Sequence, residues 1–150
     1  MVKKVVDTRF LIEYFYTKDE NVKKKVKQKL LEIIKSKQGI IPVIVLSEIT
    51  SMICKRRGIE EAKIRYFTLL RSELDIVPID KDVAYQAGIL KCKYPNVPMG
   101  DCIIAVVAKK HNAKVLIDDS HFDEIKEVKK SGFNKLICSA IPVSYTHLRA

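Results

Sequence analysis

Four carboxylates, Asp7, Glu48, Asp101 and Asp119, stand far apart in the chain but at equivalent kinds of place. Asp7 follows the apolar pair Val5-Val6, Asp119 follows residues 114–117 and Asp118, and Glu48 and Asp101 fall near the starts of segments with helical period. In an open parallel α/β sheet, ligands bind beyond the carboxyl ends of the strands, so all four acids belong to one edge of such a sheet. Gathered there without a partner they would repel one another and lose hydration, and protons would be driven onto them at neutral pH. A divalent cation removes the conflict. Oxygen-only donors match Mg²⁺ or Mn²⁺, and no His/Cys set has the spacing of a zinc or iron site. Mg²⁺ keeps several waters when few carboxylates hold it, and such a water can attack a phosphodiester while the ion shields the leaving oxygen. The chemistry implied is metal-assisted phosphodiester hydrolysis.

Each acid also has an ordinary structural reading. Asp7 and Asp101 could be helix N-caps, Glu48 a solvated carboxylate favoured by the helix dipole, and Asp118-Asp119 a turn. Taken alone, Glu48 suits the ordinary reading better. Agreement of all four on one sheet edge is what turns the balance.

The elements that must position these residues alternate between short β-branched runs and longer helical stretches, the pattern of an α/β domain with a mostly parallel sheet. Strands are expected at residues 2–6, 40–43, 74–79 and 114–117, with a last edge strand at 133–138. Helices are expected at 9–16, 20–36, through Glu48 to Arg57, and at 59–71 and 81–93, the last with Val83, Ala84, Ala87 and Leu90 inward. Gly39 is read as the stop of the second helix. Asp101 is read as opening the most apolar helix, residues 102–108, which is expected to be central.

At 150 residues the chain suits one domain, and 47% hydrophobic with 31% charged residues excludes disorder throughout. Lys and Arg number 28 against 18 Asp and Glu, so the formal charge is +10, which favours polyanions such as nucleic acid or an anionic membrane face. No apolar run approaches the roughly 20 residues of a membrane span, and no signal peptide is evident, so a cytoplasmic location is expected. Cys54, Cys92, Cys102 and Cys138 are scattered and read as buried thiols. Residues 141–150 continue no pattern and resemble a cloning junction.

The strings Val5-Val6-Asp7-Thr8, PVIVLSE at 42–48, Gly100-Asp101-Cys102-Ile103-Ile104-Ala105 and Ile117-Asp118-Asp119-Ser120-His121-Phe122 resemble, in order, the four signature blocks of PIN domains. The likeness is strongest to the compact PIN domains of VapC-like toxins, and it makes residues 1–140 one nuclease domain. It implies a three-layer α/β fold with a mostly parallel central sheet between helices. It also implies a Mg²⁺- or Mn²⁺-dependent ribonuclease, usually a homodimer and in many cases neutralised by an antitoxin encoded beside it. By motif, Asp7, Glu48, Asp101 and Asp119 would surround the metal. Thr8 would hold a water of the ion or orient Asp7, and Asp118 would stand behind the quartet. Where many relatives carry Thr or Ser two residues before the last acid, this chain has Ile117, which leaves full two-metal occupancy open.

An acidic pocket does not attract RNA, so basic residues at its rim must. Arg9, just beyond Asp7-Thr8, and the cluster Lys55-Arg56-Arg57 are the candidates for phosphate contact. The lysines of residues 23–29 read as a solvated helix face, and His111 as a helix C-terminal residue. Three other readings compete: a non-cleaving RNA-binding module, an RNA-processing nuclease without an antitoxin, and a phosphatase of the haloacid-dehalogenase kind. The last wants a second Asp two residues after the first, where this chain has Arg9.

Overall fold

A computed structural model of the chain describes residues 3–116. Ten elements follow in order: β1 (Lys4–Val6), α1 (Thr8–Tyr16), α2 (Glu20–Lys35), β2 (Gly39–Pro42), α3 (Val43–Arg57), α4 (Ile59–Arg71), β3 (Asp75–Val77), α5 (Lys81–Lys93), α6 (Met99–Lys110) and β4 (Lys114–Leu116). Among the described residues every strand pairing is parallel, and the order across the sheet is β3-β2-β1-β4. Val5 lies opposite Ile40 on one side and Val115 on the other. The parallel sheet flanked by helices is the expected architecture.

Burial explains the strand sequences. Helices cover both faces of a parallel sheet, so its inner strands are continuously apolar. Val5 and Val6 of β1 are both fully buried, as are Ile40 and Ile41 of β2. β3, at the sheet edge, is shorter than expected and only half-buried, with Pro78 following it. The expected strand at 133–138 lies outside the described residues.

The helices owe their faces to apolar spacing. Val22, Val26, Leu30 and Ile33 are the buried stripe of α2, while Lys23, Lys24, Lys25 and Lys27 face solvent as expected. Asp19 caps α2 by accepting from the N–H groups of Asn21 and Val22. In α5 the buried positions are Val83, Gln86, Ala87 and Leu90; Ala84, expected inward, is exposed, because the stripe steps by three and four residues from Val83 and passes it by. The apolar helix α6 packs against α3, α5, β1 and β4 and is central as expected, with Cys102 and Ile104 to Ala108 buried.

Gly39 does not stop α2. The left-handed residue after that helix is Lys37, at φ 57°, whereas Gly39 is already the first residue of β2. Its hydrogen is required by packing: a Cβ there would stand 2.2 Å from Leu74 Cδ2 and 2.5 Å from Ile33 Cγ2. Cys102 and half-buried Cys54 are free thiols, but Cys92 is exposed on α5, which corrects the reading of all the cysteines as buried. No helix among the described residues is long and apolar enough to cross a membrane.

Candidate functional site

β1 lies between its sequence neighbour β2 and the last described strand, β4, so the strand order reverses beside it. The crevice beyond its carboxyl end is the place where an open α/β sheet takes a ligand. Asp7 is the first residue past that end. It is also the N-cap of α1, its Oδ1 accepting from the Thr8 N–H at 2.6 Å. The capping role and the edge position therefore coexist in one residue.

Glu48 reaches the same place from the second turn of α3, and Asp101 from the first turn of α6. α6 begins at Met99, so Asp101 is its third residue and not its opener; Pro98 supplies the non-helical backbone before it. The Thr8 hydroxyl donates to Glu48 Oε1 at 3.0 Å. Thr8 thus serves two acids, its backbone N–H holding Asp7 and its hydroxyl orienting Glu48.

Electrostatics records the convergence. Burial is the largest cause raising the Asp7 carboxyl to about 6; the Thr8 N–H opposes it, Asp101 and Glu48 add to it, and Arg9 opposes it. Glu48 is also raised, first by burial and further by Asp101, against the pull of the Thr8 hydroxyl. Asp101 is raised by burial and eased by Arg9. These acids share a field that disfavours their charged forms, the conflict a cation would relieve.

As a donor set they fit a hard divalent ion: carboxylate oxygens, half-buried, short of compensating charge. Among the described residues, no three His, Cys, Asp or Glu side chains close around a point tightly enough to form a metal cluster. An ion that keeps part of its water shell can still bridge such a group. Asp119 and Asp118 lie outside the described residues, as do Ile117 and His121.

Arg9 is exposed on the first turn of α1, beside the acids, and is the cation whose field reaches both Asp7 and Asp101. Lys55, Arg56 and Arg57 form the last turn of α3. With a rise of about 1.5 Å per residue they lie roughly 10–14 Å along the helix from Glu48. They complement the helix dipole there, and Arg57 stacks over the Tyr16 ring at 4.9 Å. Arg65 joins the same cluster, with its Nε 2.9 Å from Glu61 Oε1, which also accepts from the Tyr16 hydroxyl at 3.0 Å. His111 is the C-cap of α6.

Two residues that support the site carry little signal as isolated letters. Lys91 donates from Nζ to the carbonyls of Pro95 and Val97, at 2.6 and 2.8 Å, and so pins the loop that delivers α6. Gly100 lies against the Glu48 carboxylate. A glycine in a helical turn beside an acid, where most residues would favour the helix more, was the available clue.

A parallel α/β domain with acids gathered at the reversal point of its sheet is the class that fold and site define. The PIN domain family model matches residues 4–128, and the chain belongs to that family. Solved structures share the fold. VapC20 of Mycobacterium tuberculosis, a Sarcin-Ricin loop cleaving toxin, is 17% identical, covers 82% of this chain and 95% of its own, and superposes with a TM-score of 0.65. VapBC2 of Rickettsia felis, bound to a DNA fragment from its promoter, is 19% identical over 85% of this chain and 91% of that one, with a TM-score of 0.63. A toxin–antitoxin complex from Klebsiella pneumoniae is 21% identical over 75% of this chain and 83% of that one, with a TM-score of 0.53. At these identities the likeness is one of fold. No curated protein matches the chain in sequence.

Proposed function

We propose that this protein is a Mg²⁺- or Mn²⁺-dependent endoribonuclease, the toxin of a toxin–antitoxin pair. The observation that carries the reading is the approach of Asp7, Glu48 and Asp101 from the end of β1 and from two helices: Thr8 bonds to both Asp7 and Glu48, Gly100, one residue before Asp101, lies against the Glu48 carboxylate, and burial raises all three carboxyls. Membership of the PIN family and the toxin and toxin–antitoxin structures that share the fold support it.

In this reading Asp7, Glu48 and Asp101, joined by Asp119 from beyond β4, hold the ion. Asp118 stands behind them. When bound, the ion offsets the carboxylate charge, activates a water and stabilises the leaving oxygen of an RNA phosphodiester. Thr8 keeps Asp7 and Glu48 in register through its N–H and its hydroxyl. Arg9 meets a phosphate at the mouth of the crevice, and Lys55, Arg56 and Arg57 extend the basic rim along the backbone of a longer RNA. An antitoxin and a second copy of the chain complete the assembly.

Asp101→Asn tests the assignment directly. The purified variant should keep its fold by circular dichroism and lose Mn²⁺-dependent RNA cleavage by at least about a hundredfold, as expected when a group that stabilises the transition state is removed. Undiminished cleavage by the variant would remove the acids from the mechanism.

A further inference from the structure

Gly100 has helical backbone without a positive φ, so its conformation does not call for glycine. Space does. A Cβ built there would lie 2.8 Å from Glu48 Oε2, closer than carbon and carboxylate oxygen tolerate, and a tight 3.3 Å from Glu48 Cδ. The other carboxylate oxygen, Oε1, accepts from the Thr8 hydroxyl at 3.0 Å. Glu48 is therefore held from two sides by parts of the chain distant in sequence, a hydroxyl at the start of α1 and a bare Cα at the start of α6.

We propose that Gly100 is a positioning residue for Glu48: its missing side chain lets the carboxylate of α3 lie against α6 while bonded to Thr8. The inference rests on the proposed metal-dependent activity for its consequence, though not for its geometry. Because the atom that a methyl group at position 100 would strike is the far end of a flexible side chain, the fold can absorb Gly100→Ala by moving the carboxylate alone. Alanine is also the better helix former, so the backbone itself favours the replacement.

Two measurements test this. In the first, Mn²⁺ binding to the full chain is followed by calorimetry. Gly100→Ala should weaken it about tenfold with the melting temperature unchanged or raised, and in a Glu48→Ala background the same substitution should change affinity less than about twofold. Unchanged affinity in the single variant, or an equal loss in the Glu48→Ala background, overturns the proposal. In the second, melting temperatures are measured in chelator. The shifts caused by Thr8→Val and Glu48→Ala should be non-additive in the wild-type background and additive when Gly100→Ala is present, because the bond they share is then already broken. Non-additivity of the same size in both backgrounds overturns it. If the wild-type chain binds no Mn²⁺, the metal-dependent function fails, and the chelator experiment still decides whether Gly100 positions Glu48.

Discussion

A charge held at the edge of a sheet for the sake of a ligand destabilises the protein that lacks the ligand, and Asp7 allows this cost to be sized. Its carboxyl moves from 3.8 to about 6 on folding, chiefly through burial. The sign follows from the proton count. Below the unfolded value the group is protonated in both states and contributes nothing adverse. As pH rises from there through the folded value the unfolded chain releases its proton first, and stability falls. At about 1.4 kcal/mol per pKa unit, a shift of about two units costs at most about 3 kcal/mol above the folded value, reduced by solvent because the group is only half-buried. Asp7→Asn removes the charge and leaves an amide oxygen that can still accept from the Thr8 N–H. In chelator at about pH 8 the variant should melt roughly 5–10 °C above wild type, and near pH 4 the advantage should be nearly gone. Saturating Mg²⁺ should narrow the gap at the higher pH by stabilising only the wild type. Differential scanning calorimetry across the pH range reads all of this. A variant that is less stable than wild type by the same margin at both pH values would show that Asp7 is not a buried charge under strain, and the account of the site would fail with it.

Other outcomes follow from the packing. The Thr50 hydroxyl is buried and finds no hydrogen-bond partner among the described residues, so Thr50→Val should be neutral or stabilising by about 1 kcal/mol in urea denaturation, and a clear loss would reveal a bond it makes. Gly39→Ala places a methyl group against Leu74 and Ile33 between strand and helix and should cost about 1–3 kcal/mol, read from the same denaturation midpoint. An unchanged midpoint would mean that the contact between β2 and α2 is looser than the distances imply.

Much of the architecture was legible because it follows from local periodicity. Val22, Val26, Leu30 and Ile33 define α2 whatever surrounds them, and the paired valines before Asp7 mark a strand covered on both faces. Boundaries were less legible. Gly39 resembled a helix stop because glycine commonly occupies that position, yet Lys37 takes the left-handed turn and Gly39 answers to Leu74, a residue too far along the chain for any local rule to reach. α6 begins before Asp101 because Pro98 ends the extended loop, whereas the eye is drawn to the acid.

The site divides along the same line. Residue type and spacing determined that Asp7 and Asp101 occupy positions where a strand ends or a helix begins, since those positions are written in the apolar runs beside them. That Thr8 bonds to Glu48 as well as Asp7, and that the bare Cα of Gly100 makes room for the Glu48 carboxylate, were decided only by the tertiary structure. Hydrophobic period acts over a few residues and is carried in the letters themselves. The separation of two side chains on different helices depends on how those helices pack, which no single segment encodes.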